Sequence, residues 1–409
     1  MSEWKKVKLK DCCHSISDGD HLPPPKSNSG VPFVTIANID ATNHIDFGNT
    51  MFVPLEYYNN LNDIRKAKCN DILYSVVGSF GKPVLIKENI PFAFQRHIAI
   101  LRPNNEIADS RFLYYVMLTR DFFMQADTVA IGAAQRTISL TALRNMEVKL
   151  PSMETQYRIA NILSRYDSLI ENYQKQIKLL EEAAQRLYKE WFVDLRFPGH
   201  ENTNIIDGVP DGWEKKTIDD VTCKITTGLN PRKNFVLGKG SNYYVTIKNM
   251  ADNTLFLDDR CDRVDNEALE KINKRSDLKI GDILFSGIGT IGRVALVDIP
   301  TNNWNVSESV FTLRANDIVT KEFLYLMLLS PDMQNYCQSN AHGAAQKGIR
   351  MADLKAYSFN LPPFGVIQKF TNLVTPTIKK VSSIRNQIRL LTEARDRLLP
   401  KLMSGEIAV

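Results

Sequence analysis

The strongest constraint on this chain is an internal duplication with an offset of about 211 residues. The matched segments keep their order and register, which chance similarity does not do. They are Glu3–Lys6 with Gly212–Lys215, Asn70–Ser75 with Gly281–Ser286, Gly78–Lys82 with Gly289–Arg293, Leu101–Arg102 with Leu313–Arg314, Phe112–Tyr114 with Phe323–Tyr325, Gly132–Arg136 with Gly343–Lys347, and Leu150–Pro151 with Leu361–Pro362. This period is too long for a solenoid, so each copy is a domain-sized unit, and two copies predict pseudo-twofold symmetry within one polypeptide.

The segments between the matched motifs are different in the two copies. Residues 19–60 and 228–270 share little, although the motifs on either side of them correspond. The scaffold is therefore repeated while its variable segments are not. This is the organisation that a protein needs to present two different recognition surfaces on one frame.

The first part of each copy, about 150 residues long, has the pattern of a compact α+β domain. Short β-branched or aromatic runs alternate with Pro, Asn and Gly, and short helical pieces lie among them. The predicted strands are Val31–Ile36, Asp71–Val77 and Ile98–Leu101, then Tyr243–Ile247, Asp282–Phe285 and Ser309–Leu313; the predicted short helices are Arg111–Arg120 and Lys321–Leu329.

The second part of each copy is a long helix. Residues 153–192 contain no Gly or Pro, and their apolar residues recur in steps of three and four, which is typical of a coiled coil. A second helix is predicted from about Gly365 to Met403, with Pro376 as a kink or break and Pro400 as its end. We expect the two long helices to form an antiparallel coiled coil. The predicted segments are 1–151 and 213–362 for the globular domains, 152–196 and 363–409 for the helices, and 197–212 for the linker.

Composition narrows the class of protein. The 409 residues are long enough to bury real cores, and the net charge of +5 leans weakly toward an anionic partner such as nucleic acid. No apolar run approaches a membrane span, and the N-terminus has no signal-peptide pattern. The six cysteines are scattered without zinc spacing. We therefore expect a cytoplasmic protein with reduced thiols and no metal site.

Several catalytic motifs fail on their context. Gly287–Gly292 fits GxGxxG, but Arg293–Val297 after it has the pattern of a strand, whereas a dinucleotide site needs a helix there. Asn360–Phe364 resembles the NPPF signature of amino-methyltransferases, but a leucine interrupts it. There is no phosphate-binding GxxxxGK[ST] loop, and the histidines have no triad or ligand spacing. The sequence therefore predicts no catalytic residue and no bound cofactor.

Two repeated polar loops in each copy are the candidates for binding nucleic acid. One loop is Gly132–Ser139 or Gly343–Arg350, and the other is Ser75–Lys82 or Ser286–Arg293. Gln can pair with adenine, while Arg and Lys bind guanine or phosphate. For the two glutamines, an internal role in holding the loop is an equally good interpretation. The candidate DNA-binding residues are Gln135, Arg136, Ser75 and Lys82 in the first copy, and Gln346, Lys347, Ser286 and Arg293 in the second.

Together these features resemble the specificity subunit of a type I restriction–modification system, over essentially the whole chain. The resemblance rests on the duplicated strands Asn70–Ser75 and Gly281–Ser286, on the duplicated GAAQ[RK] loop, and on the Leu-Pro turn that leads through Gln156 or Gln368 into a long helix. Asp18–Pro25 also looks like the entrance of a target-recognition domain, which adds His21 to the candidate DNA-binding residues.

The resemblance implies a division of labour. Each globular part would be a target-recognition domain that reads one half of a split sequence in double-stranded DNA. The helices would set the unread gap and dock two methyltransferase subunits, which bind S-adenosylmethionine, while restriction and translocation subunits join for cleavage. The candidate partner-binding residues are Tyr166, Leu169, Tyr173, Leu187, Trp191, Ile388 and Leu391. Two alternatives remain at this point: a coiled-coil scaffold that binds no DNA, and a degenerate amino-methyltransferase.

Overall fold

The chain forms two compact units. The computed structural model describes residues 4–21, 23–40, 42–133, 135–251, 253–343 and 347–409. Unit 1 lies within residues 1–171 and 389–409, and unit 2 is formed from residues 172–388. Each unit therefore contains one globular part and one segment from each of the two long helices.

Unit 1 begins with the globular part of the first copy. Its strands are β1 (Lys5–Lys8), β2 (Cys13–Asp18), β3 (Val31–Val34), β4 (Met51–Val53), β5 (Ile72–Ser75), β6 (Pro83–Leu85), β7 (Ala93–Phe94), β8 (Ile98–Pro103) and β9 (Glu147–Leu150). Its helices are α1 (Leu55–Asn60), α2 (Ser110–Met117), α3 (Arg120–Val129) and α4 (Leu140–Asn145), followed by the long helix α5 (Met153–Phe192), which continues into unit 2. Short 3-10 helices lie at Leu9–Cys12, Ile36–Asn38 and Asp63–Arg65.

Unit 2 follows the same order with additional short elements. Its strands are β10 (Ile205–Ile206), β11 (Val209–Pro210), β12 (Glu214–Thr217), β13 (Thr222–Thr227), β14 (Asn242–Val245), β15 (Met250–Ala251), β16 (Thr254–Leu255), β17 (Asp262–Val264), β18 (Ile283–Ser286), β19 (Val294–Leu296), β20 (Trp304–Val306), β21 (Val310–Ala315) and β22 (Ser358–Leu361). Its helices are α6 (Pro231–Asn234), α7 (Asn266–Ser276), α8 (Lys321–Leu328), α9 (Pro331–Ser339) and α10 (Met351–Ala356), with 3-10 helices at His200–Asn202 and Ile247–Asn249. The long helix α11 (Phe364–Ser404) begins in unit 2 and continues into unit 1. The additional short elements are β10, β11, β15, β16 and α6.

The sheets of the two units have the same topology. An antiparallel four-stranded sheet has the order β2-β8-β5-β6 in unit 1 and β13-β21-β18-β19 in unit 2. A three-stranded sheet has the order β4-β3-β7 or β17-β14-β20, with the last pair parallel. The first strand of each copy pairs with the last, as β1 with β9 and β12 with β22. The α+β tandem duplication predicted from the sequence is confirmed.

Local sequence explains where the short helices begin. Helix α2 starts after Asp109, whose carboxylate accepts a hydrogen bond from the backbone N–H of Phe112 at 3.0 Å. Helix α8 starts in the same way after Thr320, whose hydroxyl accepts from Phe323 at 3.2 Å. Both residues are N-caps that satisfy a backbone donor at the helix start. Phe112 and Phe323 are then almost fully buried in the cores of their units.

Segments of the two long helices run antiparallel within each unit. In unit 1, Arg395 donates to Asp167 at 2.8 Å. In unit 2, Arg385 donates to Glu181 at 2.6 Å. Further along unit 2, the ring of Phe370 lies 5.7 Å from that of Trp191. Residue numbers thus decrease along α11 where they increase along α5. The two helices are therefore antiparallel, as the sequence predicted.

Two predictions for the second helix were wrong: a break at Pro376, which was one of the two alternatives there, and an end at Pro400. Helix α11 continues through Pro376 and ends at Ser404, four residues beyond Pro400. Proline removes one backbone donor, but burial on either side offsets that loss: Val374 and Val381 are buried around Pro376, and Leu402 is buried after Pro400. Tertiary packing of an apolar face therefore overrides the local helix-breaking preference.

The helix register also corrects one correspondence. Gln156 is buried, and its side chain accepts from the backbone N–H of Asp109 at 3.0 Å and donates to the carbonyl of Ile107 at 3.2 Å. Gln368 is exposed, whereas Ile367 is fully buried. The structural partner of Gln156 is thus Ile367, which keeps the offset of the rest of the repeat, and the shared glutamine one residue later is a coincidence.

Within the described residues, none of the helices is both long and apolar enough to span a membrane. The same part of the chain contains no group of three or more His, Cys, Asp or Glu side chains placed to hold a metal ion.

Candidate nucleic-acid interface

The first repeated loop is a tight turn held by a serine. The hydroxyl of Ser75 donates to the carbonyl of Ser79 at 3.0 Å and accepts from the backbone N–H of Lys82 at 2.9 Å. Ser286 makes the same two bonds in unit 2, at 2.6 and 2.8 Å. Both serines have no exposed surface. We therefore correct their predicted role, because hydroxyls enclosed in this way hold the turn and do not face a ligand.

Glycines let this turn close. Gly81 has a φ of +93°, and a Cβ there would lie 2.7 Å from the ring of Phe123. Gly292 has a φ of +89°, and a Cβ there would lie 2.1 Å from the side chain of Gln334. Any other residue would be strained at these φ values, and the neighbouring side chain would have to move. The GxGxxG pattern thus serves a turn, and the strand predicted after it is confirmed as β19 (Val294–Leu296).

The second repeated loop is a small hairpin beside the first. Its closing pair is Ile131 with Thr137 in unit 1 and His342 with Gly348 in unit 2. The glycine that opens the loop, Gly132, has a φ of +114°, so the chain reverses in a conformation that suits glycine.

Backbone hydrogen bonds join the two loops in the same way in both units. Gly78 donates to the carbonyl of Arg136 at 2.9 Å, and Gly289 donates to that of Lys347 at 2.7 Å. Ile138 then donates to Val76 at 2.8 Å, as Ile349 does to Gly287 at 2.8 Å. The sequence predicted two separate candidate loops, and the structure brings them together into one surface, which we call the paired loops (75–82 with 131–138, and 286–293 with 342–349).

Arg136 and Gln135 face different surroundings within the paired loops of unit 1. The guanidinium of Arg136 pairs with Asp127 and lies 5.4 Å from the ring centre of Phe80, and its side chain is 41% exposed. It is therefore a held cation that still reaches solvent. Gln135 is exposed over Gly78, and it makes no side-chain hydrogen bond within the described residues. This geometry favours an outward role for Gln135 over the internal one.

In unit 2, Lys347 is exposed at the position of Arg136. Its predicted neighbour Gln346 lies outside the described residues. Whether these residues bind DNA stays a prediction for both units.

Lys82 and Arg293 attach the paired loops to the variable segments. Lys82 Nζ lies 3.4 Å from the carbonyl of Ile39, and Arg293 donates to that of Ile247 at 2.9 Å. Both cations are half-buried, so part of each remains available to an anion. Their clearest role in the structure is to fix the variable segment at the edge of the loops.

The variable segments are less different than their sequences indicate. Thr35 and Asn38 form a capping box around one 3-10 helix, and Thr246 and Asn249 form the same box in unit 2, each with a backbone-to-amide bond of 2.9 Å. The expectation that residues 19–60 and 228–270 share little was therefore wrong at these positions. The repeated Thr-Ile-x-Asn motif, at the common offset, was the missed signal.

His21 lies in an acidic cluster at the end of β2. Its Nε2 is 2.8 Å from Asp18, and Arg65 lies 3.8 Å from Asp18 and 3.6 Å from Asp20. The hydroxyl of Tyr57 donates to Asp20 at 2.5 Å. The imidazole is half-exposed, so contact with DNA stays a prediction for His21.

The predicted partner-binding residues of the long helices divide into two groups. Trp191 is buried against Phe370 and Phe192 in the core of unit 2, so its prediction as a partner contact is corrected. Leu187 packs partly on the same core. Leu169 is 38% exposed. The half-buried remainder, for which partner binding stays a prediction, are Tyr166, Tyr173, Ile388 and Leu391.

Sequence reasoning missed one pair of exposed helix residues. Leu179 is 65% exposed and Leu390 is 49% exposed. They are separated by the common offset of the repeat, so they occupy equivalent places on α5 and α11. A comparison of the repeats restricted to solvent-facing helix positions would have found them.

Comparison with known families decides the identity of this scaffold. A family model described as a type I restriction modification DNA specificity domain matches residues 1–182 and 210–388. The chain belongs to this family. Its function is DNA sequence specificity in a type I restriction–modification system.

Relatives in the specificity family are distant in sequence. The type I restriction enzyme MjaIX specificity subunit of Methanocaldococcus jannaschii is 28% identical over 305 residues, covering 73% of this chain and 69% of the relative. The HindI specificity subunit of Haemophilus influenzae is 24% identical over 480 residues, covering all of both chains. The crystal structure of a type I system S subunit from M. genitalium matches with a TM-score of 0.59 at 18% identity, covering 98% of this chain and 96% of that one. At that identity the likeness shows the fold alone.

Proposed function

We propose that each unit reads one half of a bipartite DNA target, with the predicted domains 1–151 and 213–362 as the two readers. The observation that carries this proposal is the sheet end with its paired loops: its backbone hydrogen bonds are the same in both units, while its side chains differ. Two unlike half-sites require two unlike readers on related frames. The loops also offer Arg136 and Lys347, and cations of this kind bind phosphate.

The long helices set the unread gap and dock two methyltransferase subunits. Two copies of one partner need two equivalent surfaces, which is what an internal duplication supplies. Leu179 and Leu390 support this assignment, because each is an exposed leucine at the same place in its repeat. An exposed leucine at the same position of each copy provides the pair of equivalent sites that two identical partners need.

Catalysis belongs to the partners in this proposal. The methyltransferase subunits bind S-adenosylmethionine and methylate adenine, and restriction and translocation subunits join them for cleavage. The paired loops support a non-catalytic role, because a held arginine, an exposed amide and an exposed lysine are groups that bind and position nucleic acid.

The decisive experiment is long-read methylation sequencing of cells that make this chain with a methyltransferase subunit. A split methyladenine motif should appear only when the chain is present, and replacing residues 1–151 with another recognition domain should change one half of the motif. A stable complex without any motif would favour the scaffold alternative. Binding of S-adenosylmethionine by the purified chain would favour a methyltransferase.

The role of the helices in spacing has its own test. The helices pass from one unit to the other after Glu171 and after Ile388. Four residues inserted at both points add about 6 Å of helix, which corresponds to roughly one or two base pairs. The unread gap should lengthen by that amount, whereas four residues inserted in the linker after Asn204 should leave it unchanged. Equal gaps in all three proteins would refute the spacing role.

A further inference from the structure

A short turn at the end of the four-stranded sheet has the same backbone in both units. It consists of residues 95–97 in unit 1, just before β8, and of residues 307–309 in unit 2, just before β21. The hydrogen bonds that fix it are Ile98 N to Gln95 O at 3.0 Å and Gln95 N to Val34 O at 3.1 Å in unit 1, and Val310 N to Ser307 O at 3.2 Å and Ser307 N to Val245 O at 2.8 Å in unit 2.

This turn lies directly beside the paired loops. Val76 donates to the carbonyl of His97 at 2.9 Å, and Gly287 donates to that of Ser309 at 3.0 Å. On its other side lies the end of the first sheet strand, where a Cβ on Gly19 would be 2.1 Å from the carbonyl of Phe94. The turn therefore lies between the repeated loops and the start of the variable segment.

The residue at the centre of the turn reverses its charge between the units. Arg96 occupies it in unit 1 and Glu308 occupies it in unit 2. Arg96 is exposed, and its guanidinium makes no hydrogen bond or ion pair within the described residues. Burial, together with the charge of Arg96, lowers the pKa of His97.

Glu308 is held in place by its neighbours. Asn230 donates to one carboxylate oxygen at 2.8 Å, and the hydroxyl of Tyr244, which also donates to the carbonyl of Leu229 at 2.7 Å, lies 3.1 Å from the other. A carboxylate offers about four acceptor positions. The bond from Asn230 therefore orients this half-buried group, and part of its acceptor capacity stays unused within the described residues.

We propose that this turn reads one base pair in each half-site, with Arg96 binding the O6 and N7 atoms of a guanine and Glu308 accepting a hydrogen bond from the amino group of a cytosine. These are the pairings that the two side chains make with base edges in the major groove. The inference rests on the proposed function, since it assigns specificity to one position in each unit. It explains why the same turn has a positive side chain at its centre in unit 1 and a negative one in unit 2.

The test is methylation sequencing with the full chain in complex with its methyltransferase subunits. Arg96→Ala should relax one G·C position in the half-site of unit 1 and leave the other half-site intact. Glu308→Gln should shift one position of the other half-site from cytosine toward adenine, because Gln pairs with adenine. In each case discrimination at that position should fall by about 5- to 150-fold, the range for one good pair of base contacts.

Matched controls lie at the opposite end of the same sheets. Lys10 is exposed just before β2, and Asp317 is exposed just after β21. Lys10→Ala and Asp317→Asn change charge by the same amounts and should leave every position of the motif unchanged. Circular dichroism checks that all four variants fold.

The outcomes separate this inference from the proposed function. A wild-type chain that gives no split motif would refute the proposed function itself. If the wild-type chain gives a split motif and both variants give the same motif, only the base reading by this turn would be refuted. Uniformly weaker methylation without a change at one position would also refute it, because that is the signature of a phosphate contact.

Discussion

The ion pair between Arg395 and Asp167 in unit 1 is replaced by apolar residues at the equivalent positions of unit 2, which suggests a test by substitution. Arg395 donates to one oxygen of Asp167 at 2.8 Å, and the hydroxyl of Tyr115 donates to the other at 2.5 Å. The repeat offset places Leu326, Ile378 and Ala184 at the three equivalent positions of unit 2, where they pack with its core. A polar triad in one unit thus corresponds to an apolar contact in the other.

The magnitude follows from the burial of the pair. Asp167 and Arg395 have side chains that are 17% and 28% exposed. Breaking a fully buried pair costs about 3–5 kcal/mol, and partial solvent access lowers this, so Asp167→Ala should destabilise unit 1 by about 2–3 kcal/mol. The triple change Tyr115→Leu, Asp167→Ile and Arg395→Ala should cost less than about 1.5 kcal/mol, because apolar groups replace the whole triad.

Urea unfolding of the purified chain measures both values, and hydrogen exchange locates them. Loss of protection should be confined to peptides of unit 1, since the triad lies there. As a control, Glu154→Ala removes only the exposed pair with Arg158 on the same helix and should cost less than about 0.5 kcal/mol. The reasoning fails if Asp167→Ala costs no more than this control, or if the triple variant is as unstable as the single one.

Three other predictions concern binding and pH. Arg136→Ala and Lys347→Ala should each weaken DNA binding by the complex, and the slope of log affinity against log salt concentration should become smaller by about one. Asp127→Asn keeps the arginine and should leave this slope unchanged. Wild-type slopes in all variants would show that both cations lie away from phosphate. Leu179→Glu and Leu390→Glu should each remove one methyltransferase subunit from the complex, and the double variant should remove both. Size-exclusion chromatography with light scattering measures the mass of each complex. A variant complex that keeps both methyltransferase subunits would contradict docking at these leucines. The hydrogen bond with Glu171 raises the pKa of His44. The stabilisation from this contact is therefore complete below about pH 6.5 and is lost as pH rises through the pKa of His44 in the folded protein. His44→Gln should flatten that part of the plot of unfolding free energy against pH, and an unchanged plot would contradict the coupling.

Acid should affect the same contact at lower pH. The hydrogen bond from His44, with a further one from Lys87, lowers the pKa of Glu171 to about 2. This contribution is present above the ordinary pKa of a glutamate, about 4.3, and is lost as pH falls toward 2. The contact is therefore strongest between about pH 4.5 and 6.5.

Regular periodicity made the scaffold predictable from sequence. The duplication, the helix over Met153–Phe192 and the core strands follow from patterns that local chemistry enforces. The continuation of α11 past Pro376 did not follow, because it depends on packing against residues far away in the sequence. The burial of Trp191 was missed for the same reason, since a helix pattern does not say which apolar residue faces the domain and which faces a partner.

The candidate site was only partly predictable. The paired loops were identified from their repetition, but their contact through Gly78 and Gly289 is a tertiary feature. Ser75 and Ser286 were predicted to bind DNA as members of the repeated polar loops, yet the turn uses each hydroxyl both as donor and as acceptor. The correspondence of Arg96 with Glu308 became visible only through the hydrogen bonds around it, since their sequences differ.

Duplication separates two kinds of requirement that a single-copy protein would mix. A residue kept in both units must serve something that is the same in both, such as the turn at Ser75 and Ser286 or the exposed Leu179 and Leu390. A residue that differs on an identical backbone must serve something that differs, and Arg96 with Glu308 is the sharpest case, because the two charges are opposite. Glu308 is half-buried, and its carboxylate is held by Asn230 and lies beside the hydroxyl of Tyr244, so its orientation is fixed. The support around Glu308 is therefore the strongest reason to assign this position to recognition.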